Sequence, residues 1–398
     1  MHKRLRPFEW IFLVFITLFL CSSTILCNSA KSDLCDDIKP HSTIVISKVI
    51  DLGGERLELP EDVTLYFANG SIRNGSIVGC QTKISGSKKQ IFENVIIEGN
   101  WDVPNISTDM IINCTGCNNL KQLFALTNPS IRNDVRIKKG NYMVDAKDGR
   151  EIIKIVDKTN VKLDGNIILK PNDYTWYYIV KIIGTDVKIT GRGAIIGDKA
   201  NHFGDSGEWG MGIAVLDAKN VLIKNIRICD CWGDCLYING MSKGINVHNV
   251  LMDNGRRQGI SIISGDNIDI NHCTIKNVPG TDPQYAIDIE PNPSDTVTNV
   301  IFRNIRIESC YGGVKIAGRN KNAIVQNVLF RNIYIKDAQS KWPIELIKGT
   351  SVEIRNVHSD SGSLPYALIE EITDYQLDNS VSIHAFSILN SQVKQIKK

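Results

Sequence analysis

The sequence predicts an all-β solenoid, and three observations support this class. One short phrase occurs eight times between residues 160 and 356, with apolar and polar residues alternating in it and, in most copies, Asn at its end. Its copies begin 23 to 34 residues apart, within the range of solenoid repeats. A period of two is that of a strand with one buried face. The copies are NVKLDG, DVKITG, NVLIKN, GINVHN, NIDINH, NVIFRN, NVLFRN and SVEIRN, starting at Asn160, Asp186, Asn220, Gly244, Asn267, Asn299, Asn327 and Ser351.

Two further apolar pairs follow the phrase in most repeats, so each coil is expected to hold three short strands. The third of them is seen in CLYI (235–238), GISI (259–262) and AIDI (286–289). One coil cannot bury its inner face alone, but stacked coils share one core and pair their strands in parallel. Because parallel crossovers are right-handed, we predict a single-stranded right-handed parallel β-helix with three short strands per coil.

The last position of the phrase predicts a column of turn residues in the stack. Asn tolerates the left-handed backbone region, and its amide can bond the amides above and below it. His272 falls in this column, which predicts a structural role for it rather than that of a catalytic base. The column reads Gly165, Gly191, Asn225, Asn249, His272, Asn304, Asn332 and Asn356.

The first thirty residues differ from the rest of the chain. Lys3, Arg4 and Arg6 precede an apolar run from residue 10 to 20, and a more polar stretch follows, which is the layout of a signal peptide. We expect cleavage after Ala30 and a protein that is secreted, periplasmic or exposed at the cell surface. Lipid attachment at Cys21 or Cys27 is the alternative, although a bulky Leu precedes each of these cysteines.

Residues 31–398 are predicted to form one β-helix domain. Its N-terminal cap and first coils are expected at about 42–155, regular coils at about 156–372 and a C-terminal cover at about 374–398. No later segment has the length of a membrane span. The sequence makes no prediction of oligomeric state.

Composition excludes some function classes. The chain has 398 residues, 22% of them charged, and a formal net charge of +3, which does not fit a nucleic-acid binder. Among its eleven cysteines, Cys114 and Cys117 form a single CxxC without a partner pair at zinc-site spacing. Later cysteines recur at similar places in successive coils, which favours thiols stacked in the core. We therefore expect no metal site and no cofactor, although a lyase would allow a divalent cation.

The two longest repeats carry their extra residues around the third strand, in segments 197–210 and 278–295. Insertions at one angular position protrude on one face, so a ligand groove is expected on the third-strand sheet. On that sheet, alternation directs Asp288 and Glu290 outward, at a Cα separation of roughly 6.6 Å. This spacing suits the acid and base of an inverting glycosidase, whose carboxyl groups lie roughly 6.5–9.5 Å apart.

The same count places further polar side chains beside this pair, and each has a predicted role. Asp234, His202 and Glu208 are the other candidate acids and bases. Two adjacent Arg residues are suited to binding a carboxylate or sulfate, and tyrosines to stacking on sugar rings. The candidate substrate-binding residues are Arg256, Arg257, Gln258, Tyr237, Tyr285 and Lys315.

The run VKITGRGAIIGD, followed by GDCLYI, QGISI and GVKIAG in successive coils, resembles the pectate-lyase-like and polygalacturonase-like β-helix superfamily. The likeness covers most of residues 160–356 and implies an exported protein that acts on polysaccharides. The polygalacturonase motifs are incomplete. Their Asp pair falls on Gly233 and Asp234, their Gly-His-Gly on Arg257, Gln258 and Gly259, and their Arg-x-Lys keeps only Lys315.

Several functions therefore stay open at the level of sequence. The leading hypothesis is hydrolysis of glycosidic bonds in a polysaccharide with acidic sugars, using Asp234, Asp288 and Glu290. A lyase or a uronate epimerase would instead abstract a proton with Lys315, Arg257, Tyr237 or His202. A glycan-binding surface protein without activity needs only the solenoid.

Overall fold

The computed structural model describes residues 24–26, 38–111, 119–147, 149–360, 367–377, 386–391 and 393–395. The predicted signal peptide lies outside these ranges except for residues 24–26, and so do Cys114 and Cys117. The chain divides into two compact units, Met1–Val103 with Asp109–Asn128, and Pro104–Thr108 with Pro129–Lys398. A single domain over residues 31–398 stays a prediction of the sequence.

The first unit is built from seven strands paired in parallel around the long strand β6, which contacts β3, β4, β5 and β7. Its core residues stack in register, as Leu57 on Ile77 and Ile77 on Ile97. A short helix, α1 (Asn119–Phe124), also belongs to this unit. The strands are β1 Thr24–Leu26, β2 Thr43–Ile46, β3 Val49–Asp51, β4 Arg56–Glu58, β5 Thr64–Phe67, β6 Ser71–Gly86 and β7 Phe92–Asp102.

The second unit contains the regular coils and every phrase found in the sequence. A short 3₁₀ helix lies at Lys199–Asn201, and another, Thr108–Met110, spans the point at which the chain passes from this unit to the first. The strands are β8 Asn105–Ser107, β9 Asn133–Ile137, β10 Asn141–Val144, β11 Glu151–Ile155, β12 Thr159–Leu163, β13 Asn166–Leu169, β14 Trp176–Ile182, β15 Thr185–Gly191, β16 Ala194–Ile196, β17 Trp209–Leu216, β18 Lys219–Lys224, β19 Arg227–Cys229, β20 Leu236–Asn239, β21 Ser242–His248, β22 Leu251–Asp253, β23 Ile260–Ile262, β24 Gly265–Asn271, β25 Thr274–Lys276, β26 Tyr285–Ile289, β27 Thr296–Glu308, β28 Gly312–Ala317, β29 Ile324–Lys336, β30 Ile344–Ser359, β31 Ala367–Thr373, β32 Tyr375–Leu377, β33 Phe386–Leu389 and β34 Val393–Gln395.

Each coil contributes one strand to each of three parallel sheets, as the sequence predicts. The first-strand sheet runs through β12, β15, β18, β21 and β24, and the second-strand sheet through β13, β16, β19, β22 and β25. The third-strand sheet runs through β14, β17, β20, β23, β26 and β28. All of these pairings are parallel, so the prediction of a parallel β-helix is confirmed.

The apolar positions of the phrase form the core. Val300 and Phe302 are fully buried, and the Phe302 ring stacks on Phe330 of the next coil with centroids 5.3 Å apart. Burying one such side chain stabilises the fold by about 1.5–3 kcal/mol, repeated coil after coil. The cysteines at recurring positions, Cys229, Cys273 and Cys310, are buried free thiols. Burial raises the pKa of Cys229 to about 12, so this thiol stays protonated at neutral pH.

Left-handed residues turn the chain at the corners of the coil. At the last position of the phrase, Asn304 has φ 56°, and its side chain continues a ladder to Asn332 and Asn356 at 2.8 and 2.9 Å. The first position of the phrase has a similar ladder, which the sequence analysis missed, as between Asn327 and Asn299 at 3.1 Å.

His272 takes the same left-handed backbone with φ 53°, but its membership of the ladder is a wrong prediction. Asn304 donates to Asn271 instead, at 2.9 Å, and the His272 ring lies edge-on to the ring of His248. His272 is therefore a turn residue, and the side chain of its neighbour Asn271 takes part in the amide ladder in its place.

We expect Asn304→Ala to lower the free energy of unfolding by about 1–2 kcal/mol, because alanine pays the cost of the left-handed region that Asn tolerates. Asn304→Gly is the matched control, since it loses the same ladder bonds but takes this backbone freely. Urea unfolding of the three proteins measures the effect. Equal losses for Ala and Gly would show that the backbone angle is not what Asn304 supplies.

Candidate functional site

The third-strand sheet presents one column of outward positions in the register that the sequence predicts. Tyr237 pairs with Ser261, Ser261 with Asp288, and Asp288 with Lys315, which pairs in turn with Glu345. The column therefore places carboxylates, a hydroxyl and an ammonium group from successive coils side by side, about 4.8 Å apart from strand to strand.

A groove of about 460 Å³ lies over this column. Segment 197–210 contributes Glu208 and Trp209 to its lining, and segment 278–295 contributes Glu290 and Asn292. Both long insertions thus supply residues to one cleft, as expected from their shared position in the coil. The rest of the lining comes from the sheet, the loop residues that flank β23 and the turn after β28: Tyr237, Arg257, Ile263, Lys315, Ala317, Arg319, Asn320, Glu345 and Ile347.

Arg257 lies at the centre of the polar cluster. Its guanidinium is 2.7 Å from Glu290 Oε1, 3.5 Å from Glu208 Oε2 and 3.6 Å from Asp234 Oδ2. Burial lowers the pKa of Arg257, but the charges of the three carboxylates outweigh this effect and raise it above its usual value. Arg257 is therefore a fixed cation, and proton abstraction by its side chain does not fit this environment.

Asp234 is the buried member of this cluster, with no exposed surface. Its Oδ2 accepts a hydrogen bond from the Ser261 hydroxyl at 2.6 Å. Burial raises the pKa of Asp234 to about 7, against the opposing effects of Arg257 and the Ser261 hydrogen bond. The carboxyl is therefore balanced between its protonated and ionised forms near neutral pH.

Asp288 corrects an expectation from the sequence. Alternation predicts an exposed carboxylate, and the register does direct Asp288 outward, but its side chain is completely buried. The buried amide of Gln258 donates to Asp288 Oδ2 at 2.8 Å, and Lys315 lies beside it on the next strand. Burial raises the pKa of Asp288 well above its usual value, and the charge of Glu290 adds to this effect. A period of two fixes which way a side chain points but not what neighbouring coils place over it.

Four other candidates also lie away from the groove lining, and two of them hold segment 197–210 in place. The His202 side chain is buried, bonded to Asp198 at 2.9 Å and stacked on Trp232 with centroids 3.9 Å apart. The Arg256 guanidinium lies over Trp232 and donates to the Gly207 carbonyl at 2.6 Å, so it anchors segment 197–210. His202 and Arg256 therefore use their polar atoms and ring faces to hold the loop, and these groups are not available to a substrate.

Tyr285 and Gln258 are likewise buried rather than presented to a ligand. The Tyr285 hydroxyl lies 2.8 Å from the Trp342 carbonyl and 2.9 Å from Glu345, and either oxygen can accept its one proton. Glu345 also pairs with Lys315 at 3.1 Å. Glu345 lines the groove but is not among the site residues predicted from the sequence, and no sequence motif marks it.

Five predicted site residues therefore share the groove, and three are buried behind them. Glu208, Tyr237, Arg257, Glu290 and Lys315 line the cleft, whereas Asp234, Asp288 and Gln258 have no exposed surface. Burial raises the pKa of Tyr237 to about 12, and its hydroxyl accepts a bond from Asn239 at 2.8 Å. Glu208 and Glu290 are the partly exposed carboxylates nearest to Arg257, with side chains 34% and 23% accessible.

Across the described ranges, no three His, Cys, Asp or Glu side chains are arranged to hold a metal ion. In the part of the chain that the structure describes, no helix combines the length and apolar character required to cross a bilayer. The carboxylates of Glu208, Asp234 and Glu290 surround the Arg257 guanidinium, which occupies the space between them.

Comparisons with known proteins identify relatives of limited extent. The SPbeta prophage-derived uncharacterized protein YorA of Bacillus subtilis is 32% identical over 187 residues, 39% of this chain and 32% of that protein. The uncharacterized protein YclG of the same organism is 29% identical over 182 residues, 38% of this chain and 31% of that protein. The chain thus spans about a third of the length of the curated relatives it matches.

Solved structures similar to this fold share little sequence with it. A hyperthermoactive exopolygalacturonase from Thermotoga maritima is 12% identical, with a TM-score of 0.41 over 67% of this chain and 84% of that one. The A-module of the mannuronan C-5 epimerase AlgE6 from Azotobacter vinelandii is 13% identical, with a TM-score of 0.37 over 68% and 88%. The family model described as "Right handed beta helix region" matches residues 110–330, more than half of the chain. With its parallel coils and this match, the chain belongs to the right-handed β-helix family.

Proposed function

We propose that this chain is an exported enzyme that hydrolyses glycosidic bonds in a polysaccharide. The observation that carries the proposal is the pair of partly exposed carboxylates, Glu208 and Glu290, that line one groove on either arm of Arg257. Export is supported by the basic N-terminal residues and the apolar run after them.

The two carboxylates are close enough to act on one sugar linkage. Both contact the planar guanidinium of Arg257, at 3.5 and 2.7 Å, so their nearest oxygens lie within about 9 Å of each other. Glycosidases hold their two carboxyl groups at roughly 5–9.5 Å, the shorter distances with retention and the longer with inversion. The arrangement is therefore compatible with a pair that works as acid and base.

Hydrogen bonding suggests how the roles divide. Glu290 accepts a bond from the Arg257 guanidinium, which matches an ionised carboxylate that can take a proton from water. Glu208 makes only a longer contact of 3.5 Å with Arg257 and is the more accessible of the two. We assign Glu290 as the base and Glu208 as the acid that protonates the leaving oxygen.

The groove also has features that suit an acidic sugar. Lys315 and Arg319 line it, and the side chains of both pair with carboxylates on neighbouring strands or turns. A uronate carboxylate that entered the groove would exchange one of these partners for itself, so positive charge is available without a bound metal. Tyr237 and Trp209 supply aromatic surface for a sugar ring.

Lyase chemistry, which also covers the first step of a uronate epimerase, finds less support in the groove. Of its candidate bases, His202 is buried within its own loop, Arg257 is a fixed cation and Tyr237 has a pKa raised to about 12 by burial. Lys315 is the candidate base that stays in the cleft, and its ammonium is paired with Glu345 at 3.1 Å. Hydrolysis by the two carboxylates does not require the Lys315 ammonium to lose its proton.

Digestion of a panel of purified pectic, glycosaminoglycan and algal polysaccharides tests the proposal. We expect new reducing ends without ultraviolet absorption, and we expect Glu208→Gln to lower the rate by about a hundredfold or more, as for loss of a general acid. Ultraviolet-absorbing product would instead establish a lyase. Tight glycan binding without any new reducing ends would establish a binding protein.

A further inference from the structure

A chain of four buried side chains joins Asp234 to Asp288 behind the groove. Ser261 Oγ lies 2.6 Å from Asp234 Oδ2 and also contacts Gln258 Oε1, while Gln258 Nε2 lies 2.8 Å from Asp288 Oδ2. All four side chains are completely buried. Each contact lies within hydrogen-bond range, so it is favourable only with a proton between its two heavy atoms.

The number of protons in this chain can be counted. A serine hydroxyl has one proton, and the contacts to Asp234 and to the Gln258 carbonyl both need a donor. The Gln258 amide has a donor at one end and an acceptor at the other, so in either orientation it donates to only one of its two neighbours, Asp288 or Ser261. With both carboxylates ionised, one of the three contacts would set two acceptors against each other. At least one carboxyl group must therefore hold a proton.

That proton has two places in which all three contacts are satisfied. In the first arrangement Asp234 is protonated and donates to Ser261, Ser261 donates to Gln258, and the Gln258 amide donates to Asp288. In the second, Asp288 is protonated and donates to the Gln258 carbonyl, the amide faces Ser261, and the hydroxyl donates to Asp234. Amide and hydroxyl orientations of this kind are fixed by the network rather than by the positions of the heavy atoms.

We propose that Asp234 and Asp288 share one proton through Ser261 and Gln258, and that the proton's position sets the charge beneath the groove. On going from the first arrangement to the second, Asp234 loses a proton and Asp288 gains one. The hydroxyl rotates from Gln258 to Asp234 and the amide turns over. The O–H bond of Asp234 breaks and its proton is released to water, and an O–H bond forms on Asp288 with an equivalent proton taken up from water, because the amide does not itself carry a proton across.

The charged groups around the two ends differ, which gives the exchange a consequence. Asp234 faces Arg257, Glu290 and Glu208, whereas Asp288 faces Glu290, Lys315 and Arg257. When Asp234 is protonated, Arg257 has only Glu290 and Glu208 as anionic partners, and the buried negative charge is on Asp288, beside Lys315. When Asp288 is protonated, the buried negative charge is on Asp234, beside Arg257. If the proposed function holds, this exchange decides which groove cation is free to bind a substrate carboxylate.

Infrared spectroscopy of protein labelled with [4-¹³C]aspartate tests the shared proton without any substrate. The intensity of the C=O band of protonated aspartate is followed from about pH 5 to about pH 10. The intensity that disappears in the double variant Asp234→Asn, Asp288→Asn is assigned to this pair of residues. We expect that part to equal one carboxyl group. We also expect each single Asn variant to lower its titration midpoint by about one pH unit or more, because an amide can donate into the chain without a titrating proton.

Cutting the chain separates a shared proton from simple repulsion between two charges. In a Ser261→Ala or Gln258→Met background, both carboxyls remain but the connection is lost, so Asp288→Asn should no longer move the midpoint. A midpoint shift that persists in both backgrounds would overturn the proposal in favour of repulsion through space. A band unchanged by Asp288→Asn in the otherwise native protein would assign the proton to Asp234 alone and also overturn it. Loss of hydrolysis has no bearing on these outcomes, so the two proposals fail separately.

Discussion

Glu290→Gln should lower kcat on the true substrate by about a hundredfold or more while leaving the fold intact. The side chain is partly exposed and lines the groove, and its contact with Arg257 at 2.7 Å is one that a glutamine carbonyl can still accept. The substitution removes the negative charge and the ability to take up a proton, and it keeps the shape of the side chain. Initial rates of reducing-end release measure the effect, with circular dichroism as the check on folding.

Glu353→Gln is the matched control for this variant. Glu353 also pairs with an arginine, Arg355, and its side-chain accessibility of 21% is close to the 23% of Glu290, but it lies on strand β30 outside the groove. We expect native rates for Glu353→Gln. Native rates for Glu290→Gln as well would show that Glu290 is not the base, and Lys315 would then be the remaining candidate base in the groove.

Arg257→Met should lower the free energy of unfolding by about 3–5 kcal/mol at pH values above 7, because it leaves the buried Asp234 without its cation. The Arg257 side chain is 11% accessible, so little water replaces it. Glu290 and Glu208 also lose a partner, but their exposed surface makes this loss small by comparison.

The loss should depend on pH with a definite sign. Asp234 has a folded pKa of about 7, above its value of about 3.9 in an unfolded chain, so the folded state favours its protonated form. This contribution to stability is complete below about pH 4 and is lost as pH rises through 7. Without Arg257 the ionised form is still less favourable, so urea unfolding should show a larger deficit at about pH 8 than at about pH 5.

A second substitution provides the control. Asp234→Asn in the Arg257→Met background removes the buried charge, and most of the lost stability should return. An equal deficit at both pH values, or no recovery in the double variant, would mean that Arg257 contributes by packing and not by compensating Asp234.

The candidate site shows how far local patterns reach. Alternation and repeat spacing were sufficient to place Tyr237, Ser261, Asp288, Lys315 and Glu345 in one column, and the register confirms it. Insertions at one angular position were sufficient to place the groove. Both results follow because a solenoid converts sequence separation into distance almost linearly, so neighbours in space are one repeat apart.

The burial of each side chain and the identity of its contact partners were not predictable in the same way. Asp288 was expected at the surface, yet Gln258 from the preceding coil covers it, and Arg256 was expected in the groove, yet it binds the loop carbonyl of Gly207. Which side chain covers which depends on rotamers and on the path of inserted loops, and neither has a period that a sequence reveals.

By itself the sequence determined the parallel β-helix, the buried Val, Ile and Phe positions and the left-handed corners, because each follows from a period of two or from the backbone preference of Asn. The tertiary structure decided that Glu208 and Glu290 line the cleft, that Asp234 and Asp288 lie buried behind it, and that Arg257 joins three carboxylates. The physical reason is that charge and burial are set by contacts between coils. Those contacts are made by side chains that are far apart in sequence and are chosen by packing rather than by pattern.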